Sequence, residues 1–326
     1  MTLNPLTTVI DALASGISRM IQLPPEDSAG SGFITFDRKG PQGFIRAVIT
    51  LKDGRKYFCK TNREPESRRI QREYESVIYL NRYVTDGPVR AAISRIPLVV
   101  YAGQRQWLVY PWLPASFSGG EEGRKFVPRI ARSRLEWCLA FLEMWRSAMP
   151  PVSRLMEDPD TLRLHRLSNF GKQEAERGSL AGPMHGDFTL KNVLVANGFP
   201  HVLDWEEFTP LGSPFYDFFS VALDCGSELF DVRKVVRHVF QSGGYFTDLV
   251  RGYLKRLAAA TGATGETLKE ELNAYIEFAQ ASAQAQGWPE IVHRFELIRS
   301  LLRTFSFESG SPRPAAGDLL TPRRRP

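Results

Sequence analysis

Residues 185–206 read HGDFTLKNVLVANGFPHVLDWE, and this stretch decides how the rest of the chain is interpreted. Asp187 is followed by Asn192 and then by Asp204, with apolar runs between the last two. The Asn-Gly pair at 197–198 predicts a tight hairpin between those runs, because Asn-Gly is a favoured two-residue hairpin turn. Such a hairpin would bring Asn192 and Asp204 to neighbouring strand ends.

These three side chains suit phosphoryl transfer. The carboxylate of Asp187 can accept a proton from an attacking hydroxyl, whereas the amide oxygen of Asn192 and the carboxylate of Asp204 are hard ligands suited to Mg²⁺. A base and two metal ligands are what a nucleotide-dependent kinase requires. From the motif alone, the alternative stays open that these three polar residues only cap helices or form turns around the hairpin.

Four upstream residues favour the kinase interpretation over a set of caps and turn residues. Gly40 and Gly43 precede Lys60, which ends the strand-like run KYFCK, and Glu73 follows on a segment with helical periodicity. A nucleotide kinase has a glycine-containing loop, a strand lysine and a helical glutamate in this order. Each residue is common by itself, but the ordered set on these element types favours a nucleotide-binding lobe.

The bulk composition is that of a globular protein. The chain has 326 residues, of which 43% are hydrophobic and 24% are charged, and three scattered cysteines predict free thiols. No apolar run is long enough to span a membrane, and the first residues lack a signal-peptide pattern. We therefore expect no membrane span and a cytoplasmic location.

The net charge of +6 is concentrated in residues 1–112. A basic region can attract phosphates or nucleic acid, or it can be an ordinary solvated surface. Because no recognised nucleic-acid motif is present, no specific nucleic-acid partner is expected.

The chain divides into four predicted regions. They are an N-terminal helix and linker (1–30), a nucleotide-binding lobe (31–112), a catalytic and acceptor-binding lobe (113–310) and a disordered tail (311–326). In the second region, strand-like runs surround a predicted helix over 65–83, with Pro65 in its first turn. In the third, a helix over 126–148 leads through a loop-rich stretch to the opening motif, and five helices follow it. The fold class is therefore α+β, with a small antiparallel sheet lobe before a larger, mainly helical lobe.

The segments HGDFTLKN (185–192), VLDWE (202–206) and PFYDF (214–218) together resemble the aminoglycoside phosphotransferase and choline kinase family. The resemblance covers about residues 30–305 and implies a two-lobed, protein-kinase-like fold. It also implies ATP and Mg²⁺ as cofactors and a small hydroxylated molecule as the acceptor. The H-G-D and D-W-E forms place the chain nearer to small-molecule kinases than to protein kinases.

The resemblance also implies a role for each matching residue. Asp187 would be the base, Asn192 and Asp204 would bind Mg²⁺, and Lys60, fixed by Glu73, would bind the α- and β-phosphates. Around the nucleotide, the resemblance implies a phosphate-covering turn over 38–43, with Arg38, Gly40 and Gly43, and a hinge over 109–113, with Tyr110 and Trp112 against adenine.

Four more residues of the motif region have predicted roles. Lys191 is predicted to offset charge on the transferred phosphate, although a solvated lysine is the alternative. His185 is interpreted as structural, and Asp217 as a residue that ties down the catalytic loop. Glu206 is open between a residue that contacts the substrate or supports the residues of the site and a solvated neighbour of Trp205.

The acceptor is less defined by the sequence. The neutral charge of residues 113–326 and the basic stretch over 229–260 favour a sugar or glycan intermediate over an aminoglycoside or choline. Aromatic residues of the lobe could contact such an acceptor, or they could form core: Trp205, Phe208, Phe215, Tyr216, Phe218 and Phe219. Two other classes stay open, namely a kinase-shaped binding module without transfer activity and a metallohydrolase using His185 and His201.

Overall fold

A computed structural model describes residues 5–24, 27–36, 43–93, 95–113, 127–168, 182–196, 199–241, 243–285, 287–303 and 307. The predicted disordered tail over 311–326 lies outside these residues, as do Arg38 and Gly40 of the predicted phosphate-covering turn. Within the described part of the chain, no helix has the length and apolarity needed to cross a bilayer.

The first lobe is a five-stranded antiparallel sheet with helices on both faces. Its strand order is β1-β2-β3-β5-β4. The elements are α1 (Pro5–Met20), β1 (Gly30–Phe36), β2 (Phe44–Leu51), β3 (Lys56–Asn62), α2 (Arg69–Tyr83), α3 (Gly87–Ala92), β4 (Leu98–Ala102) and β5 (Arg105–Pro111).

The two faces of this sheet differ because side chains alternate along each strand. One face packs against α1 through an apolar cluster that includes Leu13, Ile17, Ile49 and Trp107. The opposite face carries Lys60 and faces α2 and the second lobe. Alternation in the sequence thus places Lys60 on the face opposite the apolar cluster that packs against α1.

Helix α2 begins at Arg69, so the predicted start at Pro65 is wrong. The segment before it forms a turn in which the Ser67 N–H donates to the Glu64 carbonyl at 3.2 Å. The side chain of Asn62, at the end of β3, accepts from the Ile70 N–H at 3.3 Å. A strand residue thereby satisfies one of the unpaired N–H groups of the first helical turn.

The second lobe is mainly helical and has two small strand pairs. Its elements are α4 (Val127–Ala148), α5 (Val152–Met156), α6 (Pro159–Leu167), β6 (Gly182–Met184), β7 (Val193–Ala196), β8 (Phe199–Val202), β9 (Thr209–Gly212), α7 (Pro214–Leu229), α8 (Val232–Phe240), α9 (Tyr245–Thr261), α10 (Gly265–Ala285) and α11 (Pro289–Leu302). Helices α5 and α6 occupy part of the stretch that the sequence predicts as loop-rich. Asp158 caps α6 by accepting from the Thr161 N–H.

The core of the second lobe contains the aromatic residues that the sequence left open between core and acceptor site. Trp205, Phe208, Phe215, Tyr216, Phe218 and Phe219 are all buried. They pack with aromatic and apolar residues of the surrounding helices, as in the edge contact between Trp145 of α4 and Trp205, whose ring centroids are 5.5 Å apart. These aromatics are therefore core residues.

Two strand pairs position the motif over 185–206. β7 and β8 form the predicted antiparallel hairpin, with Val193 opposite Val202. The Leu203 N–H donates to the Asn192 carbonyl at 2.8 Å, which closes the open end of the hairpin. Asn192 and Asp204 consequently lie on adjacent chains, while β6, paired with β9, leads into His185.

Candidate active site

The loop after β6 makes a close backbone approach at Gly186. Its φ of +87° lies in the left-handed region, and a Cβ on it would lie 2.5 Å from the Glu207 carbonyl oxygen. Only glycine fits both the dihedral angle and the space. This contact explains the glycine of the H-G-D motif.

His185 bonds the two halves of the motif together. Its Nε2–H donates to the Leu203 carbonyl at 2.8 Å, and its Nδ1 accepts from the Asp187 N–H at 3.3 Å. Burial lowers the pKa of His185 to about 4, so the ring is neutral at pH 7 and can make one bond of each kind. Both nitrogens are committed, which fits the structural interpretation and leaves none for a zinc ion.

Helix α7 holds the loop through two carboxylates. Asp217 accepts from the backbone N–H groups of His185 at 2.6 Å and Gly186 at 3.0 Å. Asp224 accepts from the Leu190 N–H at 3.0 Å. Asp224 was not predicted from the sequence, although it lies seven residues, or two helical turns, after Asp217 and therefore on the same helix face.

A third support comes from α4. Arg134 donates to the carbonyls of Leu190 at 3.2 Å and Val193 at 2.7 Å. Around Asn192, α7 thus accepts from the Leu190 N–H group, and α4 donates to the carbonyl groups of Leu190 and Val193. Nothing in the sequence near the motif points to Arg134, because the contact joins segments far apart in the chain.

Asp187 and Asn192 contact each other directly. The Asn192 Nδ2 group donates to the Asp187 backbone oxygen at 2.8 Å and to its Oδ2 at 2.9 Å. Solvent reaches Asp187, yet the surrounding protein displaces enough water to raise its pKa to about 7, and the charge of Asp204 adds to this. A carboxyl group with this pKa can exchange a proton near neutral pH.

Asp204 follows β8 in a left-handed conformation, with φ +66° and ψ +55°. A non-glycine residue at positive φ is uncommon and persists only where its surroundings fix it. Here Asp204 contacts the ammonium of Lys60 from the first lobe. Burial would raise the pKa of Asp204, but the charge of Lys60 outweighs it, and the pKa is lowered.

Lys60 is the centre of a buried ion cluster. Its Nζ contacts Asp204, lies 2.8 Å from Glu73 Oε2 and lies 3.2 Å from Glu206 Oε2. Burial alone would lower the pKa of Lys60, but the charges of Asp204, Glu206 and Glu73 together raise it above its usual value. The lysine is therefore fully charged and connects the two lobes.

Glu206 is a member of this cluster. It is buried and contacts Arg69 as well as Lys60, so the alternative of a solvated neighbour of Trp205 is wrong. Burial raises the pKa of Glu206 to about 8, although the charge of Lys60 acts in the other direction. Among the described residues, carboxylate oxygens of Glu73, Asp204 and Glu206 lie within 4.8 Å of one another.

The predicted hinge residues have specific partners. The Tyr110 hydroxyl donates to Glu73 Oε1 at 2.8 Å and so belongs to the ion cluster. The Trp112 N–H donates to the Lys56 carbonyl at 2.9 Å, which removes it from the donors offered to a nucleobase. The Trp112 side chain is 42% exposed. Contacts of both residues with adenine stay a prediction.

The two remaining predicted positions are Gly43 and Lys191. Gly43 is buried just before β2, where its carbonyl accepts from the Arg63 N–H at 2.9 Å. Lys191 is exposed on the short 3₁₀ turn over Leu190–Asn192. Its predicted effect on the transferred phosphate remains a prediction.

Comparison with known proteins gives structural neighbours but no sequence relatives. No protein-family model matches the chain, and no curated protein matches it. Among solved structures, a thermostable mutant of aminoglycoside phosphotransferase APH(4)-Ia in its apo form has TM-score 0.44 and 13% identity, covering 84% of this chain and 95% of that one. A macrolide 2'-phosphotransferase type I has TM-score 0.43 and 17% identity, covering 82% and 90%. An ethanolamine kinase of Plasmodium vivax has TM-score 0.42 and 12% identity, covering 87% and 85%.

The topology of the chain itself defines its fold. That topology joins a five-stranded antiparallel sheet to a helical lobe through a strand lysine paired with a helical glutamate. The chain has the two-lobed, protein-kinase-like α+β fold that its sequence predicts.

Proposed function

We propose that this protein is an ATP-dependent phosphotransferase that moves the γ-phosphate to a hydroxyl group of a small molecule. The observation that carries the proposal is the position of Lys60, whose Nζ contacts Glu73 of the sheet lobe and Asp204 of the helical lobe. Phosphoryl transfer depends on positioned charges more than on covalent chemistry. A buried lysine between these two carboxylates, next to the Asp187–Asn192 pair, supplies such charges.

The donor set suits Mg²⁺. The three carboxylates near Lys60 are hard oxygen ligands, and the Nδ2 group of Asn192 is already bonded to Asp187, which leaves its Oδ1 for a cation. Asn192 and Asp204 would hold the ion. When bound, it would offset negative charge on the β- and γ-phosphates.

Asp187 would orient the acceptor hydroxyl and take its proton. The bond from Asn192 Nδ2 fixes the Oδ2 atom of the carboxylate. The other carboxylate oxygen, Oδ1, is then the one that would accept from the hydroxyl. A pKa of about 7 keeps a substantial fraction of Asp187 unprotonated at neutral pH.

The sheet offers an apolar surface for the nucleobase beside Lys60. Phe33 faces Val48, and Val48 faces Phe58, in directly paired positions of β1, β2 and β3, so the three share one face. This is the face opposite α1, and Phe33 is 58% exposed on it. A planar base would cover apolar area there, which supports nucleotide binding with the phosphates towards Lys60.

For the acceptor we propose a neutral or anionic hydroxylated molecule, such as a sugar or glycan intermediate. Since Trp205, Phe208, Phe215, Tyr216, Phe218 and Phe219 are core residues, these six cannot form a cation-binding cage for an aminoglycoside or a choline headgroup. Exposed basic residues also outnumber acidic ones along α8, where Arg233, Lys234 and Arg237 lie. Both features favour an acceptor without positive charge.

The test is a screen of candidate acceptors with γ-labelled ATP and Mg²⁺. Sugars and sugar phosphates form one panel, and aminoglycosides and choline form the other. Asp187→Asn is the inactive control, and label transfer that persists in this variant would refute the role of Asp187. Nucleotide binding without transfer to any acceptor would instead favour the binding module.

A further inference from the structure

We infer that Arg69 is a second phosphate-binding cation of the nucleotide site, and that Glu206 binds it until the nucleotide arrives. This inference rests on the proposed function, because it assigns a ligand contact within the same site. It adds to the Lys60–Glu73 pair a residue that the sequence motifs did not indicate.

The two oxygens of Glu206 serve two different cations. Oε1 contacts Arg69, and Oε2 lies 3.2 Å from Lys60. The same two cations also share the ring of Phe44, with Lys60 Nζ 3.9 Å and the Arg69 guanidinium carbon 4.4 Å from its centroid. Arg69 and Lys60 therefore form one paired positive site above Phe44.

This paired site lies where the phosphates are expected. Phe44 is the first residue of β2 and follows the predicted phosphate-covering turn directly in the chain. Arg46 lies 5.8 Å from the centroid of the same ring and faces Lys60 across the β2–β3 pairing. Positive charge thus accumulates at this end of the cleft, from residues of two strands and of α2.

Arg69 is the more accessible of the two cations. Its side chain is 29% exposed, compared with 3% for Lys60 and 7% for Glu206. An incoming polyphosphate would therefore meet Arg69 before it reaches Lys60. A guanidinium is also well suited to this contact, because its planar fork can donate two parallel bonds to phosphate oxygens.

The charges of the cluster indicate how its ion pairs would be replaced by contacts with the nucleotide and a metal ion. Glu73, Asp204 and Glu206 supply two or three negative charges, depending on whether Glu206 is protonated, near the two cations Lys60 and Arg69, so the cluster is close to balanced without a ligand. If Asp204 turns to a metal ion and the phosphates take Arg69, each group keeps an opposite partner. Such an exchange avoids leaving a buried charge uncompensated.

The experiment measures binding of adenosine and ADP by calorimetry without Mg²⁺, so that metal ligation does not contribute. Arg69→Gln should weaken ADP about tenfold to a hundredfold, the loss expected for a hydrogen bond to a charged group. Binding of adenosine should not change. Arg68→Gln is the matched control, because it removes the same charge from an exposed neighbour, and it should leave both affinities within about twofold.

A second variant tests the contact between Glu206 and Arg69 in the protein without nucleotide. Glu206→Gln should strengthen ADP binding in the absence of Mg²⁺, because Arg69 no longer has to leave a carboxylate. The gain should disappear in the Arg69→Gln/Glu206→Gln double variant. A gain that persists there would show that Arg69 is not the residue that Glu206 retains.

The outcomes separate this inference from the proposed function. A wild-type protein that binds ADP no better than adenosine would refute the nucleotide site as a whole. A wild-type preference for ADP that Arg69→Gln leaves intact would overturn the inference alone. If Arg69→Gln fails to fold, Arg69→Lys keeps the charge without the fork, and an unchanged ADP affinity in that variant and in Glu206→Gln would likewise overturn it.

Discussion

Lys60, on the sheet side of the cleft, has three carboxylate partners, whereas Asp187, on the helical side, lies on a loop bonded through its backbone. The loop is held by side chains that bond to its peptide N–H and C=O groups, such as Asp217, which accepts from the N–H groups of His185 and Gly186. A bound ligand would not have to break those hydrogen bonds. The ion pairs of Lys60, in contrast, use the same charges that a nucleotide and its metal ion require.

This difference separates a preorganised half from a half that must rearrange. Fixed donors and acceptors reduce the cost of reaching the reactive geometry, as expected for the group that orients the acceptor. A charge cluster that is satisfied without ligand keeps a buried lysine and its carboxylates stable, but it competes with ligand binding. Substitutions in the two halves should therefore affect different measurements.

The largest effect is expected from Asp187→Asn. Turnover should fall about 10²–10⁴-fold, the usual contribution of a positioned general base, while nucleotide affinity should stay within a few fold. The measurement is steady-state transfer with the acceptor found in the screen, together with calorimetric ADP binding. Equal losses in turnover and ADP affinity would contradict the division between the two halves.

Lys60→Met should act on the other half and on stability. It leaves three carboxylates around a neutral side chain, and breaking a buried ion pair in this way costs about 3–5 kcal/mol of unfolding free energy. Denaturant unfolding measures the loss. Added Mg²⁺ should restore part of it, since a cation can take the vacated place among Glu73, Asp204 and Glu206.

Lys52→Met is the control for Lys60→Met, because Lys52 is an exposed lysine at the β2–β3 turn of the same sheet. It should change stability by less than about 0.5 kcal/mol and show no response to Mg²⁺ beyond that of the wild type. A Lys60→Met protein as stable as this control would mean that the cluster does not depend on its central cation.

Gly186→Ala tests the preorganised loop. A residue with a Cβ at φ +87° costs about 1–2 kcal/mol, and here the added atom would also approach the Glu207 carbonyl to 2.5 Å. Gly54→Ala is the matched control, because Gly54 has φ +84° and nothing within 4 Å of the added carbon. The difference in unfolding free energy between the two variants measures the cost of the close contact with the Glu207 carbonyl. Equal losses of unfolding free energy in both variants would show that this contact has no cost of its own.

Lys191→Ala should have a smaller effect, confined to the chemical step. If Lys191 offsets charge on the transferred phosphate, its removal should lower turnover by about tenfold and leave ATP affinity nearly unchanged. Steady-state kinetics at saturating and limiting ATP distinguish the two quantities. An unchanged turnover would identify Lys191 as a solvent-exposed lysine without a role in transfer.

The sequence predicted the fold from local patterns, and it predicted the pair of Lys60 and Glu73 from the order of residues that a nucleotide kinase requires. Alternation placed Lys60 on the face opposite α1, and the Asn-Gly signal predicted the hairpin that brings Asn192 beside Asp204. The start of α2 was misplaced because Pro65 is a good first-turn residue. Its actual neighbours form a turn instead, and Asn62 supplies the helix with an acceptor from outside.

Asp217 was predicted from the resemblance as a residue that ties down the loop, but the other partners of the loop and the second cation could not be predicted from local patterns. Arg134 reaches Leu190 from another helix, and Arg69 reaches Glu206 from the other lobe. Such pairs depend on the packing of whole elements, which no local periodicity encodes. Asp224 is the exception, because its helical spacing from Asp217 was available in the sequence.

The smallest expected effect is a pH dependence of stability without metal. The pKa of Asp187 is raised from 3.8 to about 7 because the surrounding protein displaces water and because Asp204 is charged, so the folded protein holds a proton that the unfolded chain has released. The sign follows from linkage: the stability that the protonated form contributes is present at low pH and is lost as the pH rises through about 7. Asp187→Asn removes this loss, and its melting temperature should fall less between pH 6 and 8 than that of the wild type.

Asp11→Asn serves as the control, because Asp11 is exposed on α1, away from the cleft. Its melting temperature should follow the wild-type curve. Asp217 and Glu206, with pKa values raised to about 7 and about 8, contribute in the same direction in all three proteins, so only the difference between curves reports on Asp187. Because solvent reaches Asp187, the difference should amount to only a few degrees, and identical curves for wild type and Asp187→Asn would show that its carboxyl group titrates in the folded protein as it does in the unfolded chain.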